Sequence, residues 1–284
     1  MPQKPGSKAA TRLTVSNFLA AFFTASVFAL SAAQTALAQD TEVDVELFLA
    51  VDVSRSMSPW ELEIQRRGYA EALASPEVFA AIEGGFLGKI AITYVEWAGN
   101  TSHRTIVPWT LIDSPQAAEE IAQTLVTAQK AGMRRTSISG VLRYAADTFG
   151  RNEFQSFRHV IDVSGDGPNN QGEAVTEARD AVIAQGIVIN GLPLMTQDAQ
   201  DNIWGIDDLD RYYENCVTGG PGSFVIPVDD WDQFSRAVRR KLVLEIVGLP
   251  SDLRRASVVL AQDSYDCQIG EKLWEQNRGG FGRG

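Results

Sequence analysis

Short apolar runs alternate with amphipathic stretches along most of this chain. The runs predict strands at 44–51, 89–96, 103–109, 158–163, 187–192 and 223–228. The stretches between them predict helices near 58–74, 115–130, 137–149, 172–185 and 230–246. Such alternation predicts an α/β fold, a mostly parallel sheet with helices on both faces. The nearly unbroken apolar run from Val45 to Val51 reads as a strand buried on both sides. One pair breaks the pattern. Only Ala98-Gly99-Asn100 and a few neighbours separate strand 89–96 from His103–Trp109, too few for a crossover helix. That pair is expected to be an antiparallel hairpin at the sheet edge.

Local signals place the helix ends. Ser58-Pro59-Trp60-Glu61 is a capping box with proline at the first helical position, and Ser114-Pro115 repeats the entry. Asn170 is expected to cap a helix carrying Glu173 three residues on, and Gly186 to stop it. The sequence holds no internal repeat.

The first 38 residues follow a different pattern. Lys4, Lys8 and Arg12 precede an apolar core from Phe18 to about Leu30, and Ala36-Leu37-Ala38 forms a small-x-small cleavage signal. This is the layout of a secretory signal peptide, and the apolar core is short for a membrane-spanning helix. We therefore expect residues 1–38 to be a signal peptide cleaved after Ala38. The mature protein would be periplasmic or secreted, with no membrane span. Residues 39–248 would form the α/β domain and 249–284 a C-terminal extension. The extension ends in a Gly/Arg-rich tail from Asn277, expected to be disordered.

Loss of the three basic residues in that segment takes the formal net charge from −11 to −14. A chain this acidic is not expected to bind nucleic acid by neutralising phosphates, nor to adhere to anionic lipid. The two cysteines, Cys216 and Cys267, would meet an oxidising compartment, where a disulfide is the plain reading. Two thiols and two histidines, His103 and His159, make a zinc site improbable. Both histidines lie in strands and read as structural.

Open parallel sheets bind ligands beyond the carboxyl ends of their strands. Three loops meet that description. The first offers Asp52, Ser54 and Ser56. The second, Gly132 to Gly140, offers Thr136 at a helix start. The third, Ser164-Gly165-Asp166-Gly167, offers Asp166. All five side chains are oxygen donors of the kind that hard divalent cations take. With so few carboxylates among neutral hydroxyls, an outside carboxylate would be a favourable further ligand. Neighbouring residues have plainer readings. Asp162 is read as a polar strand residue, Glu96 and Trp97 as support, Asn169 and Asn170 as turn and cap residues, and Arg134 and Arg135 as a solvated loop.

The Asp-x-Ser-x-Ser loop, followed by a Thr before a helix and an Asp after a central strand, resembles the von Willebrand factor A domain with its metal-ion-dependent adhesion site. Asp52, Ser54, Ser56, Thr136 and Asp166 match in that order, and the resemblance covers about 43–247. Many members have Thr-Asp-Gly where this chain has Ser164-Gly165-Asp166-Gly167; the metal-bearing Asp is kept. That run and Gly219–Phe224 are similar to an exported bacterial branch of the superfamily. The resemblance implies a Rossmann-like sheet with one antiparallel edge strand. It also implies a magnesium or manganese ion (calcium less readily) and a protein partner supplying an Asp or Glu. The function so implied is an exported, non-enzymatic binding module.

Two rival functions remain open from the sequence. One is a magnesium-assisted hydrolase of phosphate esters with Asp52 as nucleophile. Ser54 stands against it, because phosphatases of that kind usually carry a second Asp there. The other is a structural envelope protein in which metal only stiffens the loops. Nucleotide and serine-hydrolase chemistry find no support, for no Gly-x-x-x-x-Gly-Lys-Ser/Thr or Gly-x-Ser-x-Gly occurs.

Overall fold

In the computed structural model, residues 40–129, 131–196, 205–248 and 265–280 are described. The expected signal peptide, residues 249–264 of the expected C-terminal extension and the last four residues lie outside them. The chain divides into two units, Met1–Ala38 and Gln39–Gly284, and every described residue belongs to the second.

Five strands form the main sheet, β2 (Glu46–Asp52), β3 (Ile90–Trp97), β4 (His103–Ile112), β6 (His159–Gly165) and β7 (Val188–Pro193). Their order is β4-β3-β2-β6-β7, and only the β3/β4 pair is antiparallel. The edge hairpin expected from the short 98–102 connection is therefore present. A separate two-stranded ribbon joins β1 (Thr41–Val43) to β5 (Phe154–Ser156).

Strand β2 lies at the centre with all seven residues buried. Its side chains alternate between faces. Leu47, Leu49 and Val51 enter one apolar cluster, covered by α1 (Pro59–Leu73), α2 (Pro76–Glu83), α3 (Pro115–Thr127) and α7 (Phe234–Val247). Phe48 and Ala50 enter the other, covered by α4 (Ile138–Thr148), α5 (Val175–Ile183) and the short α6 (Leu209–Tyr212). Burying a side chain such as Leu49 contributes roughly 1.5–3 kcal/mol. The capping box at Ser58 forms as expected, with the Ser58 N–H donating to Glu61 and the Glu61 N–H to Ser58 Oγ.

The structure departs from the pattern in several places. Helix α2 was not expected, although Ser75-Pro76 repeats the Ser-Pro entry seen at 58 and 114. At eight residues it is too short to show a clear period. Residues 223–228 form isolated bridges from Val225 to Gly191 and from Val228 to Leu194, not a strand. Pro227 and its neighbour Pro193 both lack the N–H that a continuous ladder needs. Helix α5 begins at Val175, later than expected, and its Ala174 cap makes no side-chain bond. Gly172, at φ 96°, interrupts the segment where the earlier start was placed.

A buried charge cluster ties α7 to the sheet. Asp162 shares the face of Val160 on β6. Lys241 Nζ lies 2.7 Å from its Oδ1 and also pairs with Glu245 one helical turn on. Asn190 Nδ2 donates to Glu245 Oε1 at 3.0 Å. Burial pushes the Glu245 carboxyl up to about 7, with Lys241 opposing the shift and Asp162 adding to it. A carboxyl raised in the folded state contributes stability that is full below the ordinary glutamate value and is lost as pH rises through about 7. Thermal unfolding followed from pH 5 to 8 is expected to show this decline, and Glu245→Gln to flatten it. A decline just as steep in the variant would refute the assignment.

Candidate metal centre

Strands β2 and β6 are parallel neighbours, so the loops leaving their carboxyl ends emerge side by side. Asp52 closes β2 and Asp166 follows β6. Asp52 Oδ1 accepts the Ser54 N–H at 2.7 Å. Ser54 Oγ and Ser56 Oγ are 2.8 Å apart, and Ser56 Oγ donates to Asp166 Oδ1 at 2.9 Å. Four of the five expected donor residues thus form one hydrogen-bonded chain. Asp52, Ser54 and Asp166 are buried, while Ser56 is partly exposed.

Asp52 Oδ2 makes no hydrogen bond of ordinary geometry and is shut off from solvent. Burial first, and the nearby charge of Asp166 second, push the Asp52 carboxyl well above the usual range. A buried, partnerless carboxylate oxygen is expensive to maintain. The Tyr213 hydroxyl, likewise buried without an ordinary hydrogen bond, faces the same spot. A Cβ on Gly165 would stand 2.8 Å from it and 3.0 Å from Asp52 Oδ2.

Thr136, the fifth residue, is buried and lines one cleft of about 510 Å³ together with Ser54 and Ser56. Asn170 holds it there. The Thr136 N–H donates to Asn170 Oδ1 at 3.0 Å, and the Asn170 N–H donates to the Thr136 carbonyl at 2.8 Å. This exchange locks the Thr136 loop to the Asp166 loop, and it corrects the capping role expected for Asn170. Its neighbour Asn169 accepts the Ser139 N–H at the start of α4. The Thr136 loop is also held from behind. The Ser137 N–H donates to the Ala98 carbonyl, and the Met133 N–H to Val53. Glu96 is buried between Arg66 and Arg104. Those guanidinium groups reach the carbonyls of Ala128, Gln129 and Ala131. Glu96 supports the loop through them.

The C-terminal residues also reach the cleft. Helix α8 (Ile269–Gly280) is joined to the domain by a Cys216–Cys267 disulfide. It runs four residues into the segment read from composition as tail. Glu271 Oε1 accepts from Asn169 Nδ2 at 2.7 Å. A Cβ on Gly270 would collide with the Asn169 carbonyl, so a glycine lets the helix lie directly on the Asp166 loop. Trp274 lines the cleft beside Ser54, Ser56 and Thr136, with the Arg135 guanidinium 3.4 Å from its ring centroid. Neither Trp274 nor Tyr213 carries a local signal that would single it out in the sequence.

The donor set fits a hard divalent cation. It offers two carboxylates and three hydroxyls, and Asp52 Oδ2 lacks the partner that a cation would supply. Among the described residues, no three of His, Cys, Asp and Glu come together. The five residues are carboxylates and hydroxyls together, a mixed oxygen set of the kind that hard divalent cations take.

The central parallel β2, the antiparallel edge pair and the helices on both faces define a von Willebrand factor A-like α/β domain. More particularly, the chain belongs to the family described as "Protein of unknown function (DUF1194)", whose model matches residues 42–250. No curated protein matches it. Among solved structures it is similar to the pilus adhesin SpaC from Lactobacillus rhamnosus GG, at 12% identity and a TM-score of 0.55, over 72% of this chain and 30% of that one. It is also similar to proximal thread matrix protein 1 from the mussel byssus with zinc occupied MIDAS motif, at 14% identity and a TM-score of 0.49, over 73% and 47%. A third is a von Willebrand factor type A from Catenulispora acidiphila, at 14% identity and a TM-score of 0.47, over 72% and 43%. The chain spans less than half the length of each. Of the three, only the adhesin exceeds 0.5, and at its identity the likeness is one of fold.

The tight fit at Gly165 generates a test of this geometry. Gly165→Ala would drive its methyl group against the Tyr213 hydroxyl and the Asp52 carboxylate. We expect a loss of about 1–3 kcal/mol, the usual range for overpacking, read from urea unfolding. An unchanged unfolding midpoint would show that the pocket is looser than described.

Proposed function

We propose that this chain is an exported, divalent-cation-dependent protein-binding module. Asp52, Ser54, Ser56, Thr136 and Asp166 would hold one magnesium or manganese ion, and a partner protein would complete the coordination with an Asp or Glu. The observation that carries this reading is the buried Asp52 carboxylate. One of its oxygens has no hydrogen bond of ordinary geometry, and it lies close enough to Asp166 to feel that charge. A bound cation would supply the partner that Asp52 Oδ2 lacks. What this chain's own residues do is orient the donors. Asp52 is turned by the Ser54 N–H, Asp166 by Ser56, and Thr136 by Asn170.

The partner-binding role is supported by the open cleft beside these donors. The full burial of Asp52 suits an anchoring carboxylate better than a nucleophile that must meet a substrate, so no observation favours the hydrolase. Export rests on the basic, apolar and small-residue pattern of residues 1–38, and the extents 39–248 and 249–284 remain our proposed division of the mature chain. Among the described residues, no helix is long and apolar enough to cross a membrane.

Isothermal titration of magnesium into the wild type and Asp52→Ala tests the metal role. Binding heat is expected from the wild type and none from the variant, whose circular dichroism should stay that of a folded α/β domain. Equal magnesium affinity in the two proteins would overturn the proposal.

A further inference from the structure

We infer that the rim of this cleft is a docking surface for an acidic peptide segment, in which the carboxylate offered to the cation is flanked by further Asp or Glu residues. The inference rests on the cation-dependent binding proposed above and names the class of partner. Arg55 stands between Ser54 and Ser56, and Arg134 and Arg135 directly precede Thr136. All three line the cleft. On a chain with a formal net charge of −11, the charged side chains that line this cleft are three arginines. Arg55 and Arg134 are exposed. Guanidinium forks match carboxylates in geometry and remain charged at any working pH.

Arg135 gives the second, independent observation. Its φ of 76° is the single positive value at a non-glycine residue among those described. Such backbone is unfavourable for a side-chain-bearing residue and persists where the surroundings impose it. Here the surroundings include the Trp274 ring against its guanidinium. Trp274 is supplied by α8, which the disulfide and the Glu271–Asn169 bond hold on the Asp166 loop. The C-terminal segment thus builds one wall of the cleft and fixes an arginine beside the donor set. A lone carboxylate would need only the cation, whereas charges lined along the rim match a partner with several acids in sequence.

The test uses the full chain with saturating magnesium and two labelled peptides, each with one central Asp, flanked by Glu in one and by Gln in the other. Fluorescence anisotropy is expected to show the Glu-flanked peptide binding about tenfold more tightly, the size two exposed ion pairs can supply. In the double variant Arg55→Ala/Arg134→Ala that preference should vanish, with magnesium uptake and Gln-flanked binding unchanged. Equal binding of the two peptides by the wild type, binding of neither, or a preference that survives in the double variant would overturn the inference. An oligonucleotide of equal charge competing as well as the Glu-flanked peptide would do the same. Failure of the cation reading looks different. Arginine-dependent capture of the Glu-flanked peptide would then persist in the presence of a chelator, and the rim would stand without the metal.

Discussion

Two carboxylates, Asp52 and Asp166, are brought to one place and buried there, and holding them there is the constraint on which the rest of this structure depends. Parallel pairing of β2 with β6 makes the juxtaposition unavoidable, because both strands end on the same edge. Burial and mutual repulsion each disfavour the charged form of Asp52. The surroundings meet this only in part. Ser54 gives Asp52 an N–H, Ser56 gives Asp166 an O–H, and Asp52 Oδ2 keeps no hydrogen bond of ordinary geometry. A fold that retains such an arrangement is carrying a destabilising feature, and features of that kind concentrate at functional sites.

The supporting structure is built to keep the five donor residues from relaxing away from this position. Asp52 and Asp166 are fixed by strand ends. The loop bearing Thr136 has no strand of its own and is fixed by hydrogen bonds. Asn170 grips it from the Asp166 side, and the main chain at Val53 and Ala98 grips it from the β2 and β3 sides. Behind it, Glu96 holds two arginines whose remaining donors take up loop carbonyls. Truncating Glu96 would leave buried Arg66 without its counter-charge, which is far costlier than losing an exposed pair. The charge cluster of Asp162, Lys241 and Glu245 does the corresponding work for α7, on the same face of the sheet as Glu96.

Much of this was legible in the residue pattern, for identifiable reasons. A run as apolar as 45–51 has one stable home, the middle of a parallel sheet, and the short 98–102 connection permits only a hairpin. Asp52, Ser54 and Ser56 could be grouped with Asp166 because strand ends in such a sheet share an edge. The sequence marks Glu96 as support, but the particular partners of Asn169, Asn170 and Glu96 were not legible. Each acts on a residue at least 30 positions away, on the backbone of Thr136, the backbone of Ser139 or the side chain of Arg66. No local period or cap signal encodes such a pairing. Residues 223–228 misled because apolar, β-branched residues mark a strand even where two prolines prevent the ladder. The reach of α8 was hidden for a similar reason. Its Gly- and Arg-rich end looks irregular by composition, while the Glu271–Asn169 bond, the Trp274 contact and the disulfide are long-range.

The division of labour between core and rim follows from chemistry. Hydroxyls and carboxylates at strand ends accept any suitable cation, and a cation accepts any carboxylate. Neither step distinguishes one partner from another. Under the proposed function, discrimination would have to come from groups that touch the neighbours of the incoming acid, and the cleft is lined by Arg55, Arg134, Arg135 and Trp274, which are placed to do so. Three of them lie on loops, where substitutions leave the sheet undisturbed. The fourth lies on a helix attached through one disulfide, a few polar contacts and the packing of Tyr265 and Ile269 against the core. A segment joined in this way can change its sequence without unpicking the buried carboxylates. On the proposed function, the architecture would therefore separate a fixed centre, which demands a particular set of oxygen donors, from a replaceable wall that would decide which acidic chain is held.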